Sequence, residues 1–123
     1  MKKSTYYLAL LTMVLLMAGA CRKDKDLNPE LPCGMEDPIN ELKWLNDQFK
    51  LFMGGPSING IIFYRYENKA VIEVQNGLAS STNQHQYHCN GEKLNLDDPD
   101  DFARYKKNRK LIRVVYGTNL WNW

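Results

Sequence analysis

Residues 58–75 read INGIIFYRYENKAVIEVQ, and this stretch decides the fold. Its first arm, 58–66, is β-branched and aromatic, which suits a pleated and largely buried surface. Its second arm, 70–75, alternates apolar and polar residues. Glu67, Asn68 and Lys69 stand between the arms, a gap of hairpin size. Side chains alternate across a strand, so Ile62, Tyr64 and Tyr66 share one face and Ile61, Phe63 and Arg65 share the other. The stretch predicts an antiparallel hairpin, and the remaining elements are placed around it.

Upstream, EDPINELKWLNDQFKLFMGG (36–55) reads as one helix. Asp37 is a suitable cap, Pro38 fits the first helical position, and Glu41 lies near the positive end of the dipole. Ile39, Leu42, Leu45, Phe49 and Phe52 recur at helical spacing and form the stripe to be buried. Trp44 lies beside that stripe and is expected to pack on the sheet. Gly54, Gly55 and Pro56 stop the helix.

Downstream, NGLASSTNQ (76–84) is a polar, turn-rich loop. HQYHCNGEKLNL (85–96) has two strand-like arms around Asn90-Gly91, the dipeptide favoured in type I′ turns. DDPDDFARYKKNRK (97–110) is a second, shorter helix, with Asp98 as cap, Pro99 first, and Asp100 and Asp101 in the first turn. Lys106, Lys107, Arg109 and Lys110 crowd its end, so charge runs from negative to positive along the helix and complements the macrodipole. LIRVVYG (111–117) is a last strand and TNLWNW (118–123) a short tail. The expected fold class is α+β: a mostly antiparallel sheet of about five strands, with the N-terminal helix and the second helix on one face.

The chain has 123 residues and a formal net charge of +2. Its opening, MKKSTYYLALLTMVLLMAGAC, has a positive start at Lys2 and Lys3, an apolar run from Tyr6 to Met17, and small residues at 18–20 just before Cys21. That is the layout of a secretory signal and is set aside from fold reasoning. The alternative is an uncleaved anchor, since the 17 uncharged residues Ser4–Ala20 stand at the lower edge of what spans a bilayer. LMAGAC resembles a bacterial lipobox, with Ala18 where leucine is commoner. The resemblance implies that Cys21 becomes the mature N-terminus and carries acyl chains, each buried CH₂ contributing about 0.8 kcal/mol to anchoring. The expected organisation is a signal peptide over 1–20, a lipidated Cys21 with a charged tether over 21–32, and one domain over 33–123.

Loss of Lys2 and Lys3 brings the net charge to zero, which argues against nucleic acid as a partner. Charged residues after Cys21, RKDKD, solvate the chain as it leaves the membrane. Cys-x-Lys-Asp is similar to the export signal of surface lipoproteins in the Bacteroidota, with Lys25 interrupting the acidic pair. With Cys21 taken by lipid, Cys33 and Cys89 remain as an even pair in an exported protein and are expected to bond, two reduced thiols being the alternative.

CGMEDPINELKWLNDQF resembles the opening of a family of small, uncharacterised Bacteroidota lipoproteins, which begin with a cysteine, then Asn/Asp-Pro, then Leu-x-Trp-Leu. YRYENKAVIEV and YHCNGEKL are similar to that family's next hairpin arms and turn. The resemblance covers roughly residues 33–94. The family often carries further cysteines and a glycine-rich aspartate segment after the turn, where this chain has Leu94–Asp101 without Gly or Cys. The family brings no established activity with it.

Candidates for chemistry are few. On a strand His85, Tyr87 and Cys89 face one way and His88 the other, which does not bring three or four zinc ligands together. Cys89 with His85 is a candidate thiol–base pair only where Cys89 is unbridged. The carboxylates Asp97, Asp98, Asp100 and Asp101 read as capping and dipole complement, not as an acid–base pair. The stretch GGPSING lacks the Lys-Ser/Thr of a phosphate loop. RYKKNRK reads as a solvated basic face. Trp121 and Trp123 share a face of an extended tail; exposed, they are candidate ligand-stacking residues, and buried, they close the core. No catalytic residue, metal or cofactor is assigned. The expected function is a non-enzymatic binding or inhibitory module, lipid-anchored in the bacterial envelope at the outer membrane and facing either the periplasm or the surface. Its partner is a protein or a glycan. The alternative is a small hydrolase or metal-dependent enzyme built on His85, His88 and Cys89, and a third reading is a structural envelope component.

Overall fold

The computed structural model describes residues 30–123. The expected signal segment, Cys21 and the expected tether as far as residue 29 lie outside the described residues. After a 3-10 turn at Pro32–Gly34 come two helical segments, α1 (Pro38–Glu41) and α2 (Lys43–Lys50). The hairpin β1 (Asn59–Tyr66) and β2 (Lys69–Asn76) follows, then β3 (Gln86–Tyr87), α3 (Pro99–Asn108) and β4 (Lys110–Gly117). The strands form one sheet in the order β3-β2-β1-β4, with every pairing antiparallel. The fold is α+β.

The central hairpin is tighter than its three-residue gap suggests. Tyr66 pairs directly with Lys69, so only Glu67 and Asn68 form the loop. Both have positive φ, 51° and 61°, as a type I′ turn requires. Lys69 belongs to β2.

The helices do not share a face. Leu45, Ile61, Phe63, Ile72, Val74 and Tyr87 form one core, lined further by Ile39, Leu42, Trp44, Phe49 and Phe52 from the α1–α2 region. Ile62, Tyr64, Val71, Leu96 and Tyr105 form a second core on the opposite face, under α3. The physical reason lies in β1 itself. Ile61, Ile62, Phe63 and Tyr64 are all buried, and an unbroken apolar run is the mark of a strand covered on both sides. The sheet is thus the middle of three layers.

The helix expected over 36–53 is interrupted. Leu42 is extended (φ −100°, ψ 111°) and separates α1 from α2. Asp37 caps α1 by accepting from the Asn40 amide at 3.4 Å, and its own amide donates to Glu41 Oε2 at 3.1 Å. Asp98 caps α3, accepting from the amides of Asp100 and Asp101 at 2.8 and 3.4 Å.

Among the described residues the sheet has four strands, not five. The second arm of the 85–96 hairpin is reduced to a single bridge, Tyr87 with Lys93. Its turn is not type I′ either, because Asn90 keeps a negative φ while Gly91 has φ 88°. The Gly91 amide donates to the His88 carbonyl at 3.0 Å and the His88 amide to the Glu92 carbonyl at 2.8 Å. This is a turn centred on Cys89-Asn90, closed by a left-handed glycine, the geometry of a three-residue hairpin loop.

Candidate functional site

The densest polar construction in the described residues is built on β2. Val71, Glu73 and Gln75 point to the α3 side of the sheet, and Glu73 and Gln75 are fully buried there. A buried carboxylate is tolerated only when donors surround it. Glu73 Oε2 accepts from Tyr105 Oη at 2.9 Å, Gln86 Nε2 at 3.0 Å and Arg109 Nη1 at 2.7 Å. Its Oε1 accepts from Gln75 Nε2 at 2.8 Å. Burial first, and the Glu73 carboxylate next, push the Tyr105 hydroxyl far above the ordinary tyrosine range, so it remains a donor.

The same network seizes the tail. Gln75 Oε1 accepts from the amides of Leu120 and Trp121 at 2.5 and 3.3 Å. Gln75 Nε2 and Tyr64 Oη donate to Asn119 Oδ1 at 2.8 and 3.3 Å. Arg109 Nη2 donates to the Trp121 carbonyl at 2.5 Å, and its guanidinium lies 4.2 Å from the Tyr64 ring centroid. Both oxygens of Glu73 are occupied by donors, so this carboxylate organises the tail; it does not stand ready for a substrate.

Arg109 and Tyr105 correct the expectation of a uniformly solvated RYKKNRK face. Only 4% of the Arg109 side chain meets solvent, and Tyr105 is fully buried. Arg104 and Lys107 are exposed as expected. The network as a whole was missed. Its signal was a Glu and a Gln sharing one face with Val71 in a strand otherwise rich in buried apolar residues.

Cys33 and Cys89 are joined by a disulfide, with their Cα atoms 5.7 Å apart. The bridge ties the 3-10 turn to the hairpin loop. Trp44 reinforces the junction by donating its indole N–H to the Cys89 carbonyl at 2.9 Å and packing against Tyr87, ring centroids 5.2 Å apart. Bonded in this way, Cys89 offers no thiol for nucleophilic attack. His85 and His88 are separated. The His85 ring sits 5.6 Å from that of Trp121, and burial followed by the nearby Lys93 charge lowers its pKa. His88 instead lines an open groove of about 310 Å³ with Tyr66, Leu94, Asn95, Asp101 and Arg104. No group of three or more His, Cys, Asp or Glu arranged to hold a metal occurs among the described residues.

The two tail tryptophans part company. Trp121 is 8% exposed, seated within the clamp. Trp123 is half exposed, its ring 6.1 Å from that of Trp121, and Lys106 Nζ lies 5.4 Å from its centroid. Of the clustered acids, Asp98 caps α3, Asp101 pairs with Arg104 at 3.1 Å, and Asp97 accepts from Gln84 Nε2.

No protein-family model, curated protein or solved structure matches this chain. Among the described residues no helix is long and apolar enough to cross a membrane.

Proposed function

We propose that this chain is a lipid-anchored protein of the bacterial envelope whose α+β domain binds a partner, protein or glycan, and performs no chemistry. One observation carries the reading: of the three cysteines, Cys33 and Cys89 are bonded to each other. A bridge of this kind fits an oxidising, exported setting. It also leaves Cys21, at the end of the apolar leader, as the cysteine available for acylation. The reading includes membership of the small Bacteroidota lipoproteins that the 33–94 segment resembles, and an outer-membrane location. Surface display rests on Lys23 and Asp24.

The domain's build supports binding over catalysis. Its most elaborate polar cluster is spent on holding its own tail. The experiment is metabolic labelling with a clickable palmitate analogue. Wild type should be labelled and recovered with membranes, and Cys21→Ser should be unlabelled. Label retained in Cys21→Ser, or a wild-type chain that keeps its leader at full mass, would overturn the lipid anchor. Alanine at Lys23 and Asp24 should reduce protease accessibility on whole cells.

A further inference from the structure

We infer that the outer edge of β4 is a docking strand for an extended segment of a partner protein, one that alternates acidic and apolar side chains. This deepens the binding-module reading and rests on it. Among the described residues no strand lies beyond β4, which is eight residues long. An unpaired edge of that length is a ready template for one more strand.

The chemistry of the partner follows from the register. Leu111 stands opposite Tyr64 and Val114 opposite Ile62, on the α3 face. Lys110 stands opposite Arg65 and Arg113 opposite Phe63, on the other face. Two bulges produce this division. Ile112 and Val115 are skipped in the pairing with β1, and both pack into the first core. Their removal from the ladder leaves an edge with two exposed apolar side chains on one face, Leu111 at 50% and Val114 at 44%, and two exposed cations on the other. An open groove of about 690 Å³ runs beside the edge; one carboxylate, Glu30, lines it against three cations, Arg65, Lys110 and Arg113, with Leu111 and Ile112 between. A strand that passes over Ile112 and Val115 as β1 does would set every second side chain beside Leu111 and Val114 and the intervening ones beside Lys110 and Arg113. Apolar residues fit the first set and carboxylates the second.

A second copy of this chain fits badly. Pairing β4 with itself would gather four cations along one seam, like charges set against each other. An acidic partner turns the same charges into attraction.

The test uses the full chain in detergent and a fluorescein-labelled octapeptide alternating Glu and Val. Anisotropy should saturate, and hydrogen exchange at residues 110–117 should slow. Raising salt toward 1 M, which shortens the screening length to about 3 Å, should weaken binding. The double variant Lys110→Glu, Arg113→Glu should weaken it roughly tenfold, the sum of two lost and reversed surface pairs, with an unchanged melting temperature. N-methylation of alternate peptide amides along one edge should abolish binding when that edge faces β4, and be tolerated on the other. Absent saturation, equal binding of a Lys/Val peptide, or indifference to N-methylation on either edge would overturn the inference. So would a peptide-free dimer with β4 amides already protected. Because the readout does not involve acylation, it succeeds or fails independently of labelling at Cys21.

Discussion

Arg109 Nη1 lies 2.7 Å from Glu73 Oε2, with 4% and 0% of the two side chains exposed. A buried pair of this kind costs much desolvation and returns it only while both partners are present. Removing one leaves a charge stranded in a poorly polarisable interior. Glu73→Gln should therefore destabilise the domain by about 3–5 kcal/mol, although it preserves shape. The double change Glu73→Met, Arg109→Met should cost far less than the sum of the single changes, because no charge is then left unpaired. Urea denaturation of the four members of the cycle measures this. Additive losses would mean that the two residues do not depend on each other.

Gln75 is the hinge between that pair and the tail. Its amide oxygen receives two backbone amides, from Leu120 and Trp121, in a site it shares with no solvent. Gln75→Leu keeps the bulk and removes the acceptor. Buried donors left without partners cost about 1–3 kcal/mol. The loss should be local as well as global. Amides of Leu120 and Trp121 should exchange faster than those of β1, and Trp121 emission should shift to the red. Uniform protection across tail and sheet would show that the tail is held by its apolar contacts alone.

The hairpin loop after β3 is fixed from two sides. Gly91 has φ 88°, and a Cβ added there would lie 2.9 Å from Trp44 Cγ. Gly91→Ala should thus incur both the left-handed backbone penalty, roughly 1–2 kcal/mol, and a clash with the indole. Cys89→Ser removes the bridge and should cost about 2–5 kcal/mol. For a domain of this size each kcal/mol lowers the melting temperature by roughly 4–8 °C, so calorimetry resolves both. Reductant should reproduce the Cys89→Ser shift in wild type. Rapid alkylation of both thiols in native protein without reductant would mean that the bridge is absent.

Local sequence signals carried much of this fold. Pro and Asp at 37–38 and 98–99 marked two helix starts, since caps act through adjacent amides. The hairpin 58–75 was legible because its strand composition and its turn are contiguous. The two-faced burial of β1 was written in Ile61–Tyr64, yet it needs a second layer to become visible. The Asn90-Gly91 turn was misjudged for a physical reason. A left-handed glycine serves two hairpin geometries, and which one forms depends on whether Asn90 also adopts positive φ, which here it does not. Glu73 and Gln75 on one face with Val71 were the one local trace of the Glu73 network, whose members, at 73, 75, 86, 105 and 109, meet only through tertiary packing. A charged residue on a strand reads as a solvent-facing position until the arginine that covers it is placed. The bulges at Ile112 and Val115 likewise follow from pairing with β1 and leave no trace in LIRVVYG itself.

His85 should make the domain acid-sensitive within a defined window. Its ring is partly buried beside Trp121, and burial followed by the Lys93 charge lowers its pKa, while a hydrogen bond that the ring donates to the Ser81 backbone and the Glu73 carboxylate act in the opposite sense. The folded protein therefore resists protonating His85, whereas the unfolded chain takes up the proton near the ordinary histidine value of about 6.5. Above that value His85 is neutral in both states and contributes no pH dependence. As pH falls below it, the unfolded state binds more protons than the native state, so stability declines. The decline ends once pH passes the lowered folded value and both states are charged. His85→Gln should flatten the stability profile just below about pH 6.5, while leaving the fall at lower pH that carboxylates such as Asp47 cause; Asp47 has a lowered pKa through its hydrogen bond with Lys43. Urea midpoints taken at half-unit pH steps for wild type and His85→Gln decide the matter. Parallel profiles across that window would show that His85 takes no part in the acid response.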